Sequence, residues 1–304
     1  MLFHRDFLGY TGGHGKVWDY FRHALALGWD ARAYLTPRSL RDHCNPWAAV
    51  PERIEQVWRP EAFDILFLAG MDWEALVDPG HPPRPVVNLV QGVHHGWQTH
   101  PLRAFLAAPA HRICVSGPVA ESILSTGEVN GPVTVIPAAL DLPKQVAAPP
   151  FPQGGKVLVA GLKAPALAAA LAQELRERGV VVEVLDQWMP RMDYLARVAA
   201  AAVVVTLPLA AEGFYLPALE AMALGVPVVM GDCIGSRQYA RDGENCLLAA
   251  LEPGRMADAV ERALQPALAA CLRQHGLTTA AAYSQTNERE HFAGIIGNLE
   301  GGKL

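Results

Sequence analysis

The chain has 304 residues, 51% of them hydrophobic and 18% charged, with a formal net charge of −5. This composition supports a sizeable core and excludes global disorder, and the length accommodates one large domain or two ordinary ones. The acidic balance supplies no concentrated basic surface for a duplex, so no nucleic-acid partner is expected, while a local pocket for a small phosphorylated ligand remains compatible with it.

The first ten residues, MLFHRDFLGY, lack the apolar run of a secretory signal. The longest uncharged apolar run, Val198 to Ala211, is short of the roughly 20 residues that a membrane-spanning helix needs. A soluble, cytoplasmic chain is expected, and peripheral contact with a membrane surface stays open. Cys44, Cys114, Cys233, Cys246 and Cys271 are scattered and in no C-x-x-C arrangement, so reduced and mostly buried thiols are expected rather than a disulfide frame or a zinc site.

Along the first half, ARAYL (from Ala31), DILFLA (from Asp64), RPVVNLV (from Arg84), HRICVS (from His111) and VTVIP (from Val133) are continuous apolar runs. Such runs mark parallel strands covered on both faces. Lys16 to Leu27 and Pro118 to Leu124 supply helices between them. The segment Leu142 to Gly155, LPKQVAAPPFPQGG, is dense in Pro and Gly and has no apolar period, which predicts a linker. The alternation then restarts with KVLVAG, a long helix, VVVEVL, a helix, AVVVTLP, a short helix and VPVVMG. The fold class is therefore α/β, with two Rossmann-like, doubly wound parallel-sheet domains facing a cleft. The predicted domains are 1–145, 146–283 and a closing helix over 284–304 that packs back on the first.

Ligands of such sheets sit beyond the carboxyl ends of the strands. The richest stretch there is TLPLAAEGFYLPALEAMALGVPVVMGD, Thr206 to Asp232. Glu212 and Gly213 follow the strand, Pro217 suits a first helical position, and Gly225 suits the residue that ends a helix. This places Glu220 in the opening turn, with both glutamates toward the cleft and the helix amides forming an anion site. A glutamate in a first turn also serves simply to complement the helix dipole.

The segment E-G-F-Y-L-P-A-L-E-A-M-A-L-G-V-P-V-V resembles the E-x7-E element of family 4 retaining glycosyltransferases, which have the GT-B fold. GENCLL (Gly243 to Leu248), VIPAALD (Val135 to Asp141), YTGGHGKV (Tyr10 to Val17) and YSQTNEREHF (from Tyr283) resemble further elements of that family, in the family's order. The resemblance implies that Glu212 contacts the donor sugar hydroxyls and Glu220 the nucleotide ribose. It also brings the backbone of Gly213, Phe214 and Tyr215 close to the donor. Gly161 and Lys163 fall on the family's phosphate-binding segment, with Leu162 where an arginine is usual. Gln91 occupies the slot of a family histidine, and His94 and His95 follow it, so one of these three is expected at the sugar or acceptor. Gly12 and Gly13 fall on the family's glycine loop, where backbone amides approach a phosphate or the acceptor.

The chain contains no D-x-D triplet, the usual metal-holding motif of the other large glycosyltransferase fold. No metal ligands and no cofactor are expected, the nucleotide-sugar being a substrate. The implied reaction is transfer of a sugar to the hydroxyl of a carbohydrate or glycolipid, with retention and without a metal. The substitutions Leu162, Ala138 and Cys246 favour an alternative, a degenerate and non-catalytic nucleotide-sugar-binding protein. An epimerase or phosphorylase of the same fold is a further alternative.

Overall fold

The computed structural model describes residues 1–142 and 155–300, so residues 143–154 of the anticipated linker lie outside the described residues. The chain divides into two compact units: Met1–Ala139 together with the helix that starts at Gln285, and Leu140–Ser284.

The first unit runs β1 (Leu2–Arg5), α1 (Gly12–Ala26), β2 (Arg32–Leu35), β3 (Ile54–Glu55), β4 (Leu66–Ala69), β5 (Val86–Val90), β6 (His111–Cys114), α2 (Gly117–Leu124) and β7 (Val133–Val135). Its sheet has the order β3-β2-β1-β4-β5-β6-β7, and every pairing is parallel. Leu2 faces both Arg32 and Leu66 in register, which sets β1 between β2 and β4. The five residues of β5 are all buried, as expected of a parallel strand covered on both faces.

The second unit runs β8 (Val157–Ala160), α3 (Pro165–Glu177), β9 (Val182–Leu185), α4 (Arg191–Ala199), β10 (Val203–Thr206), α5 (Leu216–Ala223), β11 (Val228–Met230), β12 (Leu247–Leu248), α6 (Pro253–Ala263) and α7 (Pro266–Ala281). Its sheet order is β12-β11-β10-β8-β9, again with parallel pairs throughout. Val157, Val159, Val203, Val205 and Val229 pack with Leu171, Leu175 and Val260 of α3 and α6 in one fully buried layer. Each such side chain contributes about 1.5–3 kcal/mol by leaving water.

In both units the order reverses at one place. In the second, β8 leads to β9 on one side, while β10 leads to β11 and β12 on the other. Loops at the carboxyl ends of β8 and β10 therefore diverge and leave a crevice between two adjacent strands. In the first unit the corresponding reversal lies between β1 and β4.

Helix α8 (Gln285–Glu300) belongs to the first unit. Phe292 meets Tyr20 of α1 edge to face, with ring centroids 5.0 Å apart. Beneath it lies a buried charge network. Lys16 donates to Asp19 at 2.8 Å and to the carbonyl of Ala139 at 3.1 Å, and its ammonium lies 2.7 Å from Glu288. Glu288 also accepts from the Ala139 amide at 3.0 Å and pairs with His23 at 2.9 Å. Burial alone would lower the Lys16 pKa, but Asp19 and Glu288 outweigh it and hold the ammonium above its ordinary value.

Candidate functional site

Gly161 lets the chain turn sharply off β8. A Cβ there would lie 2.3 Å from the Cβ of Ala168, so only glycine allows α3 so close. Two residues on, Lys163 reaches from the β8 loop to the β10 loop and donates to Glu212. Its ammonium also stands 5.6 Å from the centre of the Tyr215 ring, a distance at which a cation is attracted to the ring face. Glu212 is held by its own turn, its amide donating to the carbonyl of Leu209 at 3.3 Å while its carboxylate accepts from the Leu209 amide at 3.3 Å. Lys163 and Glu212 thus meet at the strand-order reversal of this unit. Leu162, beside them, is 55% exposed.

The backbone of Glu212 to Phe214 rests on Gly235. A Cβ at position 235 would lie 2.6 Å from the Phe214 nitrogen and 2.7 Å from the Glu212 carbonyl oxygen. The Tyr239 hydroxyl donates to the carbonyl of Tyr215 at 2.5 Å and fixes the end of the same loop. Gly235→Ala is therefore expected to displace the Glu212 loop with little loss of secondary structure. Proteolysis within residues 209–215 should quicken while far-UV circular dichroism is unchanged, and an unaltered digestion pattern would show that the loop does not depend on Gly235.

Helix α5 begins at Leu216 after the N-cap Tyr215, with Pro217 as its second residue. It ends at Ala223 with Leu224 as its C-cap, followed by Gly225 with φ of 67°. Glu220 is consequently the fifth helical residue, at the start of the second turn, one residue deeper than its sequence spacing from Pro217 predicts. It is only 3% exposed, and its carboxylate lies 2.6 Å from the guanidinium of Arg191. The dipole explanation of this glutamate fails on that geometry, because its partner is a cation and not the amide end of the helix. Arg191 also donates to the carbonyl of Asp141 at 3.0 Å.

Gly12 and Gly13 are the first two residues of α1, whose N-cap Thr11 accepts from the amide of His14. They lie at the reversal of the first sheet, where Arg5 at the end of β1 donates to Asp72 at 2.6 Å. Its other nitrogen faces Nδ1 of His14 at 3.1 Å. Burial and then the Arg5 charge bring His14 down to a pKa of about 4, so Nδ1 is free to accept. Gln91 donates to the carbonyl of Gly13 at 3.3 Å, which ties the β5 loop to the glycine loop. The rings of His94 and His95 lie 5.0 Å apart, and His100 lies 4.4 Å from His94. Burial, then His94 and His100, lower His95 to about 3, which keeps it neutral at physiological pH. Gln91, His94, His95, Gly12 and Gly13 belong to the first unit, and Gly161, Lys163, Glu212 to Tyr215 and Glu220 to the second.

Residues 121–266, which include the Lys163–Glu212 pair and Glu220, match the family model for glycosyl transferases group 1. That stretch is similar to the group 1 glycosyltransferases. Over 104 residues it is 36% identical to D-inositol 3-phosphate glycosyltransferase of Acidothermus cellulolyticus, a stretch covering 34% of this chain and 23% of that protein. The match thus spans less than a quarter of that relative. Among solved structures, sucrose-phosphate synthase of Thermosynechococcus elongatus is similar over 99% of both chains, with a TM-score of 0.70 at 16% identity. HepE of Anabaena, solved with UDP and glucose, is similar over 98% of this chain and 99% of its own, with a TM-score of 0.73 at 15% identity. The fold is GT-B. Within the matched stretch, sequence motifs single out both glutamates and Lys163, but not Arg191 or Gly235. The one signal for Arg191 is physical. It is the first residue of α4, where a helix dipole disfavours a cation, so it needs a carboxylate elsewhere. Among the described residues, no helix is long and apolar enough to cross a membrane.

Proposed function

We propose that the chain transfers a sugar from a nucleoside diphosphate sugar to an acceptor hydroxyl, with retention of anomeric configuration and without a divalent cation. The observation that carries this reading is the meeting of Lys163 and Glu212 at the sheet reversal, with Glu220 buried eight residues on. Lys163 is the cation for the diphosphate. An exposed ion pair such as Lys163–Glu212 contributes only about 0–1 kcal/mol, so the diphosphate displaces Glu212 from Lys163 at small cost. Glu212 is then released to accept from the sugar hydroxyls, and Glu220 accepts from the ribose. As the glycosidic bond breaks, charge accumulates on the departing diphosphate, and Lys163 with the amides leading into α5 stabilises it where it develops. The acceptor hydroxyl attacks the oxocarbenium-like centre from the face that the diphosphate leaves.

HepE is a neighbour solved with UDP-glucose, which makes UDP-sugars the first donors to try. Carbohydrates and glycolipids are the acceptors that fit the reading, and the cytoplasm, where nucleotide sugars are made, is its natural place. In the first unit, Gln91, His94, His95, Gly12 and Gly13 are the candidates for contact with the sugar or the acceptor.

The test is release of the nucleoside diphosphate from UDP-, ADP- and GDP-sugars with a panel of sugar acceptors, in excess chelator, with NMR of the product anomer. Turnover in chelator with a retained anomer is expected. Activity that vanishes in chelator and returns with manganese would sink the metal-free mechanism. Binding without turnover on any acceptor would favour a non-catalytic nucleotide-sugar-binding protein.

A further inference from the structure

We propose that Arg191 is a positioning residue for the nucleoside end of the donor, acting through Glu220 to set discrimination between ribose and deoxyribose. The inference rests on the donor-site reading of Glu220 above. Three observations carry it. Arg191 opens α4, against the preference of the helix dipole, so its place there is compensated by something else. That compensation is Glu220, 3% exposed, with the guanidinium 2.6 Å from Oε1. A carboxylate buried that deeply is retained only when paired. The third observation is Tyr194, one turn along α4, whose hydroxyl is buried with no hydrogen-bond partner among the described residues. Burial, and then the Glu220 charge, push its phenol pKa up.

Arg191 therefore does two things for Glu220. It pairs with the carboxylate where burial excludes water, and by holding Oε1 it sets the direction from which a vicinal diol donates to the carboxylate. The second grip of Arg191, on the carbonyl of Asp141, fixes the guanidinium itself. A planar fork held at two points orients its carboxylate in a way that a lysine ammonium does not. A site arranged to accept from a substrate hydroxyl rejects the analogue that lacks it, because the buried acceptor is then left unpaired.

The experiment is calorimetric titration of wild type, Arg191→Ala, Arg191→Lys and Glu220→Gln. Each is titrated with whichever of UDP, ADP and GDP the wild type binds tightest, and with its 2′-deoxy counterpart. Wild type is expected to prefer the ribonucleotide by about tenfold, the value of one charge-assisted hydrogen bond. Arg191→Ala should cut that preference to about twofold or less, Arg191→Lys should fall between, and Arg191→Ala in the Glu220→Gln background should cost nothing further. Discrimination, unlike affinity or melting temperature, does not move when a residue merely supports the fold. If Arg191→Ala does not fold, Arg191→Lys carries the same comparison. Loss of discrimination in Glu220→Gln with full discrimination in the Arg191 variants overturns this inference alone. Full discrimination in Glu220→Gln, or no binding of any of the three diphosphates, overturns the ribose reading and this inference with it.

Discussion

Replacing Lys16 by Met is expected to lower the unfolding free energy of the chain by about 3–5 kcal/mol, the usual consequence of removing one partner of a buried ion pair. The substitution keeps most of the side-chain volume but strands two carboxylates. Asp19 would retain Arg22 at 2.6 Å, and Glu288 would retain His23 and the Ala139 amide. Neither set replaces an ammonium that both carboxylates share. The pH dependence follows from the same network. Asp19 and Glu288 titrate below their ordinary values of 3.8 and 4.5, because Lys16 and hydrogen bonds outweigh the upward push of burial. Their stabilisation is present above those values and is lost as pH falls through the depressed ones. The Lys16 pKa is raised above 10.5, so its stabilisation is present below that value and is lost as pH rises through the folded pKa. Urea denaturation of wild type and Lys16→Met at neutral pH and well below pH 3.8 is the check. The variant should be weaker at neutral pH and lose less on acidification, since the pairing that acid destroys is already gone. A difference below about 1 kcal/mol at neutral pH would place the network among the ion pairs that contribute little.

The second large effect concerns chemistry. Lys163→Ala is expected to reduce kcat by about 10²–10³, the range seen when one preorganised donor to a developing negative charge is removed. The neighbouring position holds Leu162, so no second cation stands beside Lys163 on the β8 loop to take its place. Affinity for the nucleoside diphosphate should fall as well, because the charge acts on the ground-state phosphates too. Steady-state kinetics with saturating donor would decide it. A kcat within about threefold of wild type, far short of the usual cost of losing such a donor, would remove Lys163 from the leaving-group site.

Much of this arrangement was legible in residues. The valine-rich strands β8, β10 and β11 announce themselves because both faces are covered, and the Pro and Gly of the Glu212 segment mark where its helix starts and stops. Other parts were hidden for physical reasons. β1 carries His4 and Arg5 in a four-residue strand, and these look solvated until Asp72, 68 and 67 residues away, pairs with them. Lys16, His23 and Glu288 likewise look like surface charges of two helices, and only their pairing across 272 and 265 residues makes them interior. Pro217 fits a first helical position, but α5 starts one residue earlier and Glu220 falls one residue deeper, against Arg191 rather than at the helix amides. Gly235 has no neighbours in sequence that reveal it, because what forbids a side chain there is the backbone of residues 212–214.

On the proposed function, the two glutamates grip different parts of one nucleotide-sugar. Calorimetry of Glu212→Gln and Glu220→Gln with the nucleoside diphosphate and with the intact donor tests it most directly. Glu220→Gln should weaken both ligands alike, by about 1–3 kcal/mol, since both carry the ribose. Glu212→Gln should not weaken the diphosphate, because it also frees Lys163, yet it should lose affinity for the donor and lower turnover, where contacts to the distorting sugar matter most. Equal losses for both ligands in both variants would contradict the account and assign the two glutamates to the fold of their loop and helix.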